Sequence, residues 1–196
     1  MQKVALRNQL LTERRKLPEA VRRSASASVQ ASILALVRRQ RPTRCAAYVP
    51  IGSEPGGSAL PEVIAGALPD GGRLILPRLL ASGDLDWAEF DGELTPGSFG
   101  LREPAGVPLG VNAVSEVSLI IVPALAVSRS GLRLGRGGGS YDRALARVTS
   151  AFVVAPLYDG ELIDEVPAEP HDRRVDAVVT PAGGLRTLSG NPEWTK

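Results

Sequence analysis

Residues 129–145 read R-S-G-L-R-L-G-R-G-G-G-S-Y-D-R-A-L and contain five glycines and four arginines. They follow an apolar run, residues 119–127, that is rich in β-branched side chains and too short to cross a membrane, so it predicts a buried strand. They lead into residues 141–148, whose composition is typical of a helix. The glycines therefore lie at a predicted junction between a strand and a helix.

Such a junction is suited to bind phosphate. The first backbone N–H groups of a helix have no partner within it, and glycine lets an anion approach them without a Cβ in the way. One such contact contributes only about 0.3–1 kcal/mol at an exposed site, so several N–H groups and arginines must act together on a polyphosphate.

The glycine spacing matches neither common nucleotide motif. A P-loop requires a lysine that these residues lack, and the dinucleotide pattern G-x-G-x-x-G, started at Gly135 and Gly137, meets Ser140 at its last position. A flexible surface loop is the alternative interpretation. The interleaved arginines and the abrupt helix start favour phosphate binding over that alternative.

Helical and extended patterns alternate along the rest of the chain. Helices are predicted over residues 2–16, with Val4, Leu6, Leu10 and Leu11 as the apolar stripe, and over residues 18–38 and 60–68. Strands are predicted at 45–49, 73–76, 85–90, 119–122, 152–155 and 177–180, and residues 91–112 are expected to form a long loop over a site. This alternation predicts an α/β fold with a mainly parallel sheet covered on both faces.

Composition is typical of an ordinary enzyme in a reducing compartment. The 196 residues suit one domain over 1–196, with basic N-terminal helices, 1–44, packed on the α/β core. Cys45 is the only cysteine, and it is expected to be a small core residue rather than a nucleophile. We therefore expect a cytoplasmic, monomeric protein that does not act at a membrane.

The charge is unevenly distributed. The net charge is only +2, but residues 1–44 contain eleven Lys or Arg and two Glu, a net +9. This basic segment could also be interpreted as an organellar transit peptide or as a nucleic-acid-binding surface, rather than as helices packed on the core. The segment lacks aromatic residues to stack on bases, so no nucleic-acid partner is expected.

Five segments, in order along nearly the whole chain, resemble the 5-formyltetrahydrofolate cyclo-ligase family, also called methenyltetrahydrofolate synthetase. They are Lys3-x-x-x-Arg7-x-x-x-Leu-x-x-x-Arg15, Tyr48-Val-Pro-Ile-Gly-Ser-Glu54, Pro96-Gly-Ser-Phe99-Gly-Leu-Arg-Glu103-Pro104, the glycine-rich residues 131–143, and Glu169-Pro-His-Asp172. The resemblance implies a three-layer α/β/α domain and an ATP- and Mg²⁺-dependent ring closure that converts 5-formyltetrahydrofolate, with or without a polyglutamate chain, to 5,10-methenyltetrahydrofolate, ADP and phosphate. A non-catalytic relative that keeps the ATP site as a sensor or interaction module is the alternative.

The resemblance also implies roles for individual residues. The ATP-binding residues are expected to be Lys3, Arg7, Arg133, Leu134, Gly135, Arg136, Gly137, Gly138, Gly139, Ser140 and Tyr141, with Arg133 and Tyr141 also catalytic. Val49, Glu54 and Phe99 are expected to bind the folate, and Glu54 to pair with N–H groups of the pterin. Without the resemblance, Lys3 and Arg7 would be taken for a solvated basic face, Glu54 for an exposed loop residue, and Phe99 for core packing.

Asp142 and Asp172 are expected to hold magnesium. A carboxylate beside a polyphosphate would repel it unless a Mg²⁺ ion bridged the two, and Mg²⁺ prefers one or two carboxylates together with phosphate oxygens and water. The second carboxylate, Asp172, follows from the resemblance. The alternatives are an early-helix aspartate favoured by the helix dipole for Asp142 and a turn residue for Asp172.

Four positions differ from the family pattern. Relatives commonly have Phe-Asp at Val127-Ser128, a tyrosine at Ser140 and a threonine at Gly57. The expected phosphate and metal residues are all present, so ATP binding is better supported by the sequence than folate specificity.

Overall fold

The computed structural model describes residues 2–169 and 172–188. Its four helices are α1 (Gln2–Lys16), α2 (Glu19–Gln40), α3 (Leu60–Ala65) and α4 (Ser140–Leu145). The strands are β1 (Arg44–Ala46), β2 (Arg73–Leu79), β3 (Leu85–Glu89), β4 (Leu94–Pro96), β5 (Arg102–Pro104), β6 (Leu119–Ile121), β7 (Ala126–Ser128), β8 (Arg133–Leu134), β9 (Phe152–Pro156), β10 (Leu162–Ile163), β11 (Ala177–Thr180) and β12 (Gly184–Thr187). Short 3₁₀ helices cover Ser98–Gly100 and Val111–Glu116.

A seven-stranded sheet forms the centre of the fold, in the order β12-β11-β9-β6-β1-β2-β3. The five inner strands are parallel, whereas the edge strands β12 and β3 are antiparallel to their neighbours. The predicted α/β fold with a mainly parallel sheet is therefore confirmed. The edge pairs are antiparallel because β2–β3 and β11–β12 are joined by short turns that reverse the chain.

Successive side chains along each inner strand enter opposite apolar layers. In β6, Leu119 and Ile121 pack with the buried residues of α2 and α3, while Ile120 packs with those of α4 and the 3₁₀ helix Val111–Glu116. The alternation of a strand places neighbouring residues on opposite faces of the sheet. Both faces are thus covered, which gives the predicted three layers.

A smaller three-stranded sheet, β10-β7-β8, lies beside the central one. Helix α1 packs on it through Leu6, Leu10 and Leu11, which contact a cluster formed by Leu125, Ala126, Leu134 and Val166. The predicted stripe was wrong at Val4, which is 57 % exposed. Nothing covers that face of the first helical turn within the described residues.

Two further predictions need correction. The apolar run 119–127 is two strands, β6 in the central sheet and β7 in the small one, because Pro123 interrupts the run. The predicted loop 91–112 contains a hairpin, β4–β5. The strand predicted at 85–90 is β3, and its Trp87 is completely buried against residues of the 3₁₀ helix Val111–Glu116.

Within residues 2–169 and 172–188, no helix combines the length and the apolar character needed to cross a bilayer.

Candidate functional site

A cavity of about 440 Å³ opens at the carboxyl ends of three neighbouring parallel strands, β2, β1 and β6. Its walls include Pro77 and Leu79 from the end of β2, Tyr48 beyond β1, and Ala124 beyond β6. Ligands of open α/β sheets bind outside the carboxyl ends of the strands. The lining contains every site residue predicted from the sequence: Lys3, Arg7, Val49, Glu54, Phe99, Arg133, Leu134, Gly135, Arg136, Gly137, Gly138, Gly139, Ser140, Tyr141, Asp142 and Asp172.

The glycine-rich loop, residues 135–139, connects β8 directly to α4. Gly137 has a φ of 106° and Gly139, immediately before α4, a φ of 70°, a region of backbone space that favours glycine. A Cβ on Gly135 would lie 2.8 Å from Nη1 of Arg133, and one on Gly137 would lie 3.4 Å from Arg7. The absence of side chains therefore lets two arginines lie against the loop.

Arg133 is buried beneath this loop. Its Nη1 donates to the carbonyl of Pro123 at 3.0 Å, and its Nη2 donates to Asp142 Oδ1 at 2.8 Å. Its Nε is buried and has no hydrogen-bond partner within the described part of the chain. A buried donor without a partner is costly, and a site for an anion is one setting that tolerates it.

Tyr141 lies beside Arg133, whose guanidinium carbon is 5.8 Å from the centre of the phenol ring. Burial raises the pKa of Tyr141 well above its usual value, with a further contribution from the charge of Glu54. The phenol is therefore protonated at neutral pH. It can donate a hydrogen bond, but it cannot act as a base there.

Helix α1 brings two cations to the cavity. Lys3 Nζ lies 2.7 Å from Asp172 Oδ2 and 3.0 Å from Glu169 Oε2, and Arg7 Nε donates to the carbonyl of Gly135 at 2.9 Å. Burial opposes the charge of Lys3, but the bonds to these two carboxylates raise its pKa overall. Lys3 has only 11 % of its side chain exposed, so it does not belong to a solvated basic face.

The two carboxylates predicted to hold magnesium both line the cavity, each paired with a cation of the site. Among the described residues, no three His, Cys, Asp or Glu side chains are grouped closely enough to hold a metal by themselves. Two carboxylates next to the glycine-rich loop fit a Mg²⁺ ion whose remaining ligands would be phosphate oxygens and water. They do not fit a metal held by the protein alone.

Glu54 is buried, contrary to the loop-residue alternative. Its Oε2 accepts from the Ile51 amide at 3.0 Å, and its Oε1 pairs with Arg136 Nε at 3.0 Å. Burial raises the pKa of Glu54, although the Ile51 amide and the charge of Arg136 act in the opposite direction. Val49 lines the cavity nearby, with Ile51 between them in sequence.

Phe99 lies at the tip of the β4–β5 hairpin, at the mouth of the cavity. It is 90 % exposed and has a φ of 57°, so core packing does not explain it. A non-glycine residue in this region is uncommon and, when bulky, strained. The hairpin thus presents an aromatic ring at the cavity entrance.

Several residues in or next to the site were not predicted from the sequence. Glu169 pairs with Lys3, and Glu103 accepts from the Leu79 amide in the cavity wall, although both belong to segments that carried the resemblance. Arg14, rather than Arg15 of the quoted N-terminal pattern, is the buried arginine of α1. Pro170 and His171 of the last segment lie outside the described residues.

Known proteins resemble this chain in sequence and fold. The sequence profile of the 5-formyltetrahydrofolate cyclo-ligase family matches residues 1–181. A 5-formyltetrahydrofolate cyclo-ligase from Mycolicibacterium smegmatis is 45 % identical over 193 residues, which cover 95 % of this chain and 97 % of the relative.

Two solved structures share the fold. The NMR structure of Aquifex aeolicus 5,10-methenyltetrahydrofolate synthetase superimposes with a TM-score of 0.80 at 31 % identity, covering 97 % of this chain and 95 % of that one. A 5,10-methenyltetrahydrofolate synthetase from Mycoplasma pneumoniae gives a TM-score of 0.72 at 19 % identity, covering 91 % and 98 %, and supports the fold alone. The chain is a member of the 5-formyltetrahydrofolate cyclo-ligase family.

Proposed function

We propose that this protein converts 5-formyltetrahydrofolate to 5,10-methenyltetrahydrofolate, using ATP and Mg²⁺ and releasing ADP and phosphate. The observation that carries the proposal is that the glycine-rich loop, the cations of α1, two carboxylates and the buried Glu54 all line one cavity. The relative with 45 % identity over nearly the full chain supports the same reaction.

The nucleotide part of the site consists of the loop and the cations around it. The phosphates of ATP would lie against the loop backbone, with Lys3, Arg7 and Arg133 neutralising their charge. Asp142 and Asp172 would hold Mg²⁺, which when bound draws charge from the phosphate oxygens. Arg136 lies at the boundary between this part and Glu54.

The folate part combines Glu54 with apolar walls. The Glu54 carboxylate would accept hydrogen bonds from N–H groups of the pterin, while Val49 and the ring of Phe99 would contact its flat faces. Leu79, Leu85 and Leu101 also line the cavity and would exclude water from the reacting groups. Such walls suit the rings of a folate, with or without a polyglutamate chain.

The reaction needs positioning more than a protein nucleophile. The formyl oxygen attacks the γ-phosphorus of ATP, and the bond from phosphorus to the bridging oxygen of ADP breaks. N10 then bonds to the formyl carbon and loses its proton, and phosphate leaves with the former formyl oxygen. Arg133 would stabilise the charge on the transferred group, and the protonated Tyr141 would donate a hydrogen bond within the site.

Absorbance of the methenyl product tests the proposal. Purified protein is mixed with 5-formyltetrahydrofolate, Mg²⁺ and ATP, and ATP is omitted in the control. We expect an absorbance band of the methenyl product that requires ATP. The amount of product should equal the amount of ADP released. A folded protein that binds ATP without forming product would overturn the proposal in favour of a sensor. We also propose that the protein is cytoplasmic and monomeric, as expected from the sequence.

A further inference from the structure

A buried ion pair lies outside the cavity, at the far end of α1. Arg14 Nε lies 2.7 Å from Glu161 Oε1 and Arg14 Nη2 lies 2.8 Å from Glu161 Oε2, a two-point contact. The residues are only 2 % and 5 % exposed. The Tyr158 amide also donates to Glu161 at 2.7 Å, and the Tyr158 ring lies 5.5 Å from the Arg14 guanidinium carbon. The hydrogen bonds of this ion pair depend on direction as well as on distance.

The same guanidinium is bonded to the wall of the cavity. Arg14 Nη2 donates to the carbonyl of Ala124 at 2.7 Å, and Arg133 Nη1 donates to the preceding carbonyl, that of Pro123. Pro123 and Ala124 both line the cavity. Two arginines, one from α1 and one from β8, therefore bind successive carbonyls of the segment between β6 and β7.

Helix geometry connects Arg14 to the cations of the site. At 3.6 residues per turn, residues separated by four, seven or eleven positions lie on one face of a helix. Lys3, Arg7 and Arg14 have these separations, and Arg14 is about 10 Å along the axis from Arg7. Any slide or rotation of α1 that displaced Lys3 or Arg7 would have to break the contacts of Arg14.

The apolar contacts of α1 do not supply this constraint. Leu6, Leu10 and Leu11 hold the helix on the small sheet, but burial of apolar surface is non-directional. Buried ionic contacts are in some proteins retained because they specify one arrangement rather than because they add stability.

We propose that the Arg14–Glu161 pair fixes the position of α1 and so places Lys3 and Arg7 for the phosphates of ATP. Arg14 is a positioning residue, because it contacts neither the cavity interior nor a reacting atom. This inference rests on the proposed function, since it assumes that the phosphates bind between α1 and the glycine-rich loop.

The variants below distinguish an effect on the position of α1 from an effect on folding stability. In the double variant Arg14→Met with Glu161→Met both buried charges are replaced by apolar side chains, a change that often leaves stability intact. Arg14→Lys keeps the charge but cannot bond to both carboxylate oxygens and the Ala124 carbonyl in the same planar arrangement. Arg15→Met is the matched control, because Arg15 is exposed and its side chain bonds to Thr12 at 3.3 Å.

Two quantities are measured for each folded variant: the Kd of ATP by calorimetry without folate, and the KM of each substrate during turnover. For the double variant and Arg14→Lys, we expect the Kd and KM of ATP to rise about tenfold to a hundredfold, while the KM of the folate substrate changes little. Arg15→Met should match the parent protein in all three.

Unchanged ATP affinity in either variant would overturn the inference, as would an equal rise in both KM values. Failure of both variants to fold would overturn it as well, because the pair would then be a requirement of folding rather than of position. A parent protein that neither binds ATP nor forms product would contradict the proposed function instead.

Discussion

Arg136 of the glycine-rich loop and Glu54 of the loop after β1 form an ion pair, with 3.0 Å between Nε and Oε1. The proposed phosphate-binding region and the proposed pterin-binding carboxylate are therefore in direct contact. The Arg136 side chain is 47 % exposed and that of Glu54 only 8 %, so the arginine can move away while the carboxylate stays in place.

Replacing Arg136 by Met should weaken binding of both substrates. The change removes a cation from the loop and leaves the buried Glu54 carboxylate without its charged partner. We expect the KM values of both ATP and the folate substrate to rise about fivefold or more, a loss of about 1 kcal/mol per substrate. Arg129→Met, which removes an exposed arginine paired with Asp164, is the control. A rise for ATP alone would contradict the connection between the two parts of the site.

The pH dependence of folate use should report Glu54. Burial raises the pKa of this carboxyl above that of an ordinary glutamate. If the ionised form accepts the hydrogen bonds of the pterin N–H groups, kcat/KM for the folate substrate has its full value above the raised pKa. It falls as the pH is lowered through that pKa. The fall should therefore begin at a higher pH than an ordinary glutamate would give.

Glu54→Gln is the variant that checks this assignment. It should have a lower kcat/KM for the folate and no acid-side fall, measured by the methenyl absorbance over a pH series. A fall that persists unchanged in Glu54→Gln would assign it to another group.

Gly137→Ala should impair ATP binding by more than its effect on folding explains. A φ of 106° is unfavourable for alanine, by about 1–3 kcal/mol, and the new methyl group would contact Arg7. Gly92→Ala is a matched control, since Gly92 has a φ of 102° and open space around it, away from the cavity. Both variants should lose similar thermal stability, and only Gly137→Ala should raise the Kd of ATP. Equal ATP affinity in the Gly137→Ala and Gly92→Ala variants would contradict a role of the loop in phosphate binding.

Asp172→Asn should raise the Mg²⁺ concentration needed for half-maximal turnover, by about tenfold or more. The amide is a weaker ligand than the carboxylate, and Lys3 loses the charge of one of its two partners. Excess Mg²⁺ should restore part of the rate. Asp164→Asn, at a position with 84 % of its side chain exposed, should leave the Mg²⁺ titration unchanged. An unchanged titration for Asp172→Asn would exclude this residue as a metal ligand.

The sequence predicted the central sheet well because three of its inner strands, β6, β9 and β11, are short, largely buried and rich in β-branched residues. The prediction at 177–180 agrees with β11, and that at 152–155 falls one residue short of β9. The small sheet was missed because β8 and β10 have two residues each, too few for any periodic pattern. The residues that pack over Trp87 of the edge strand β3 were not predictable, because they are distant from it in the chain.

Residues of the site were predictable where they lie in contiguous segments, such as the glycine-rich loop. Arg14 was not, because Arg14, Arg15 and Lys16 are equivalent in composition and only the tertiary contact separates them. Its partner Glu161 is 147 residues away, and no local pattern indicates it. Ser128, one of the expected departures from the family pattern, is buried, and its Oγ accepts from the Leu132 amide at 3.0 Å, so here it supports a turn.

Transfer of the formyl oxygen to phosphate is the most direct test of the account. 5-Formyltetrahydrofolate labelled with ¹⁸O in the formyl group is incubated with the protein, ATP and Mg²⁺, and the released phosphate is analysed by mass spectrometry while the methenyl absorbance is followed. The account predicts one ¹⁸O atom in each phosphate, formed in step with the methenyl product and ADP. Unlabelled phosphate, or product formation that does not require ATP, would contradict it.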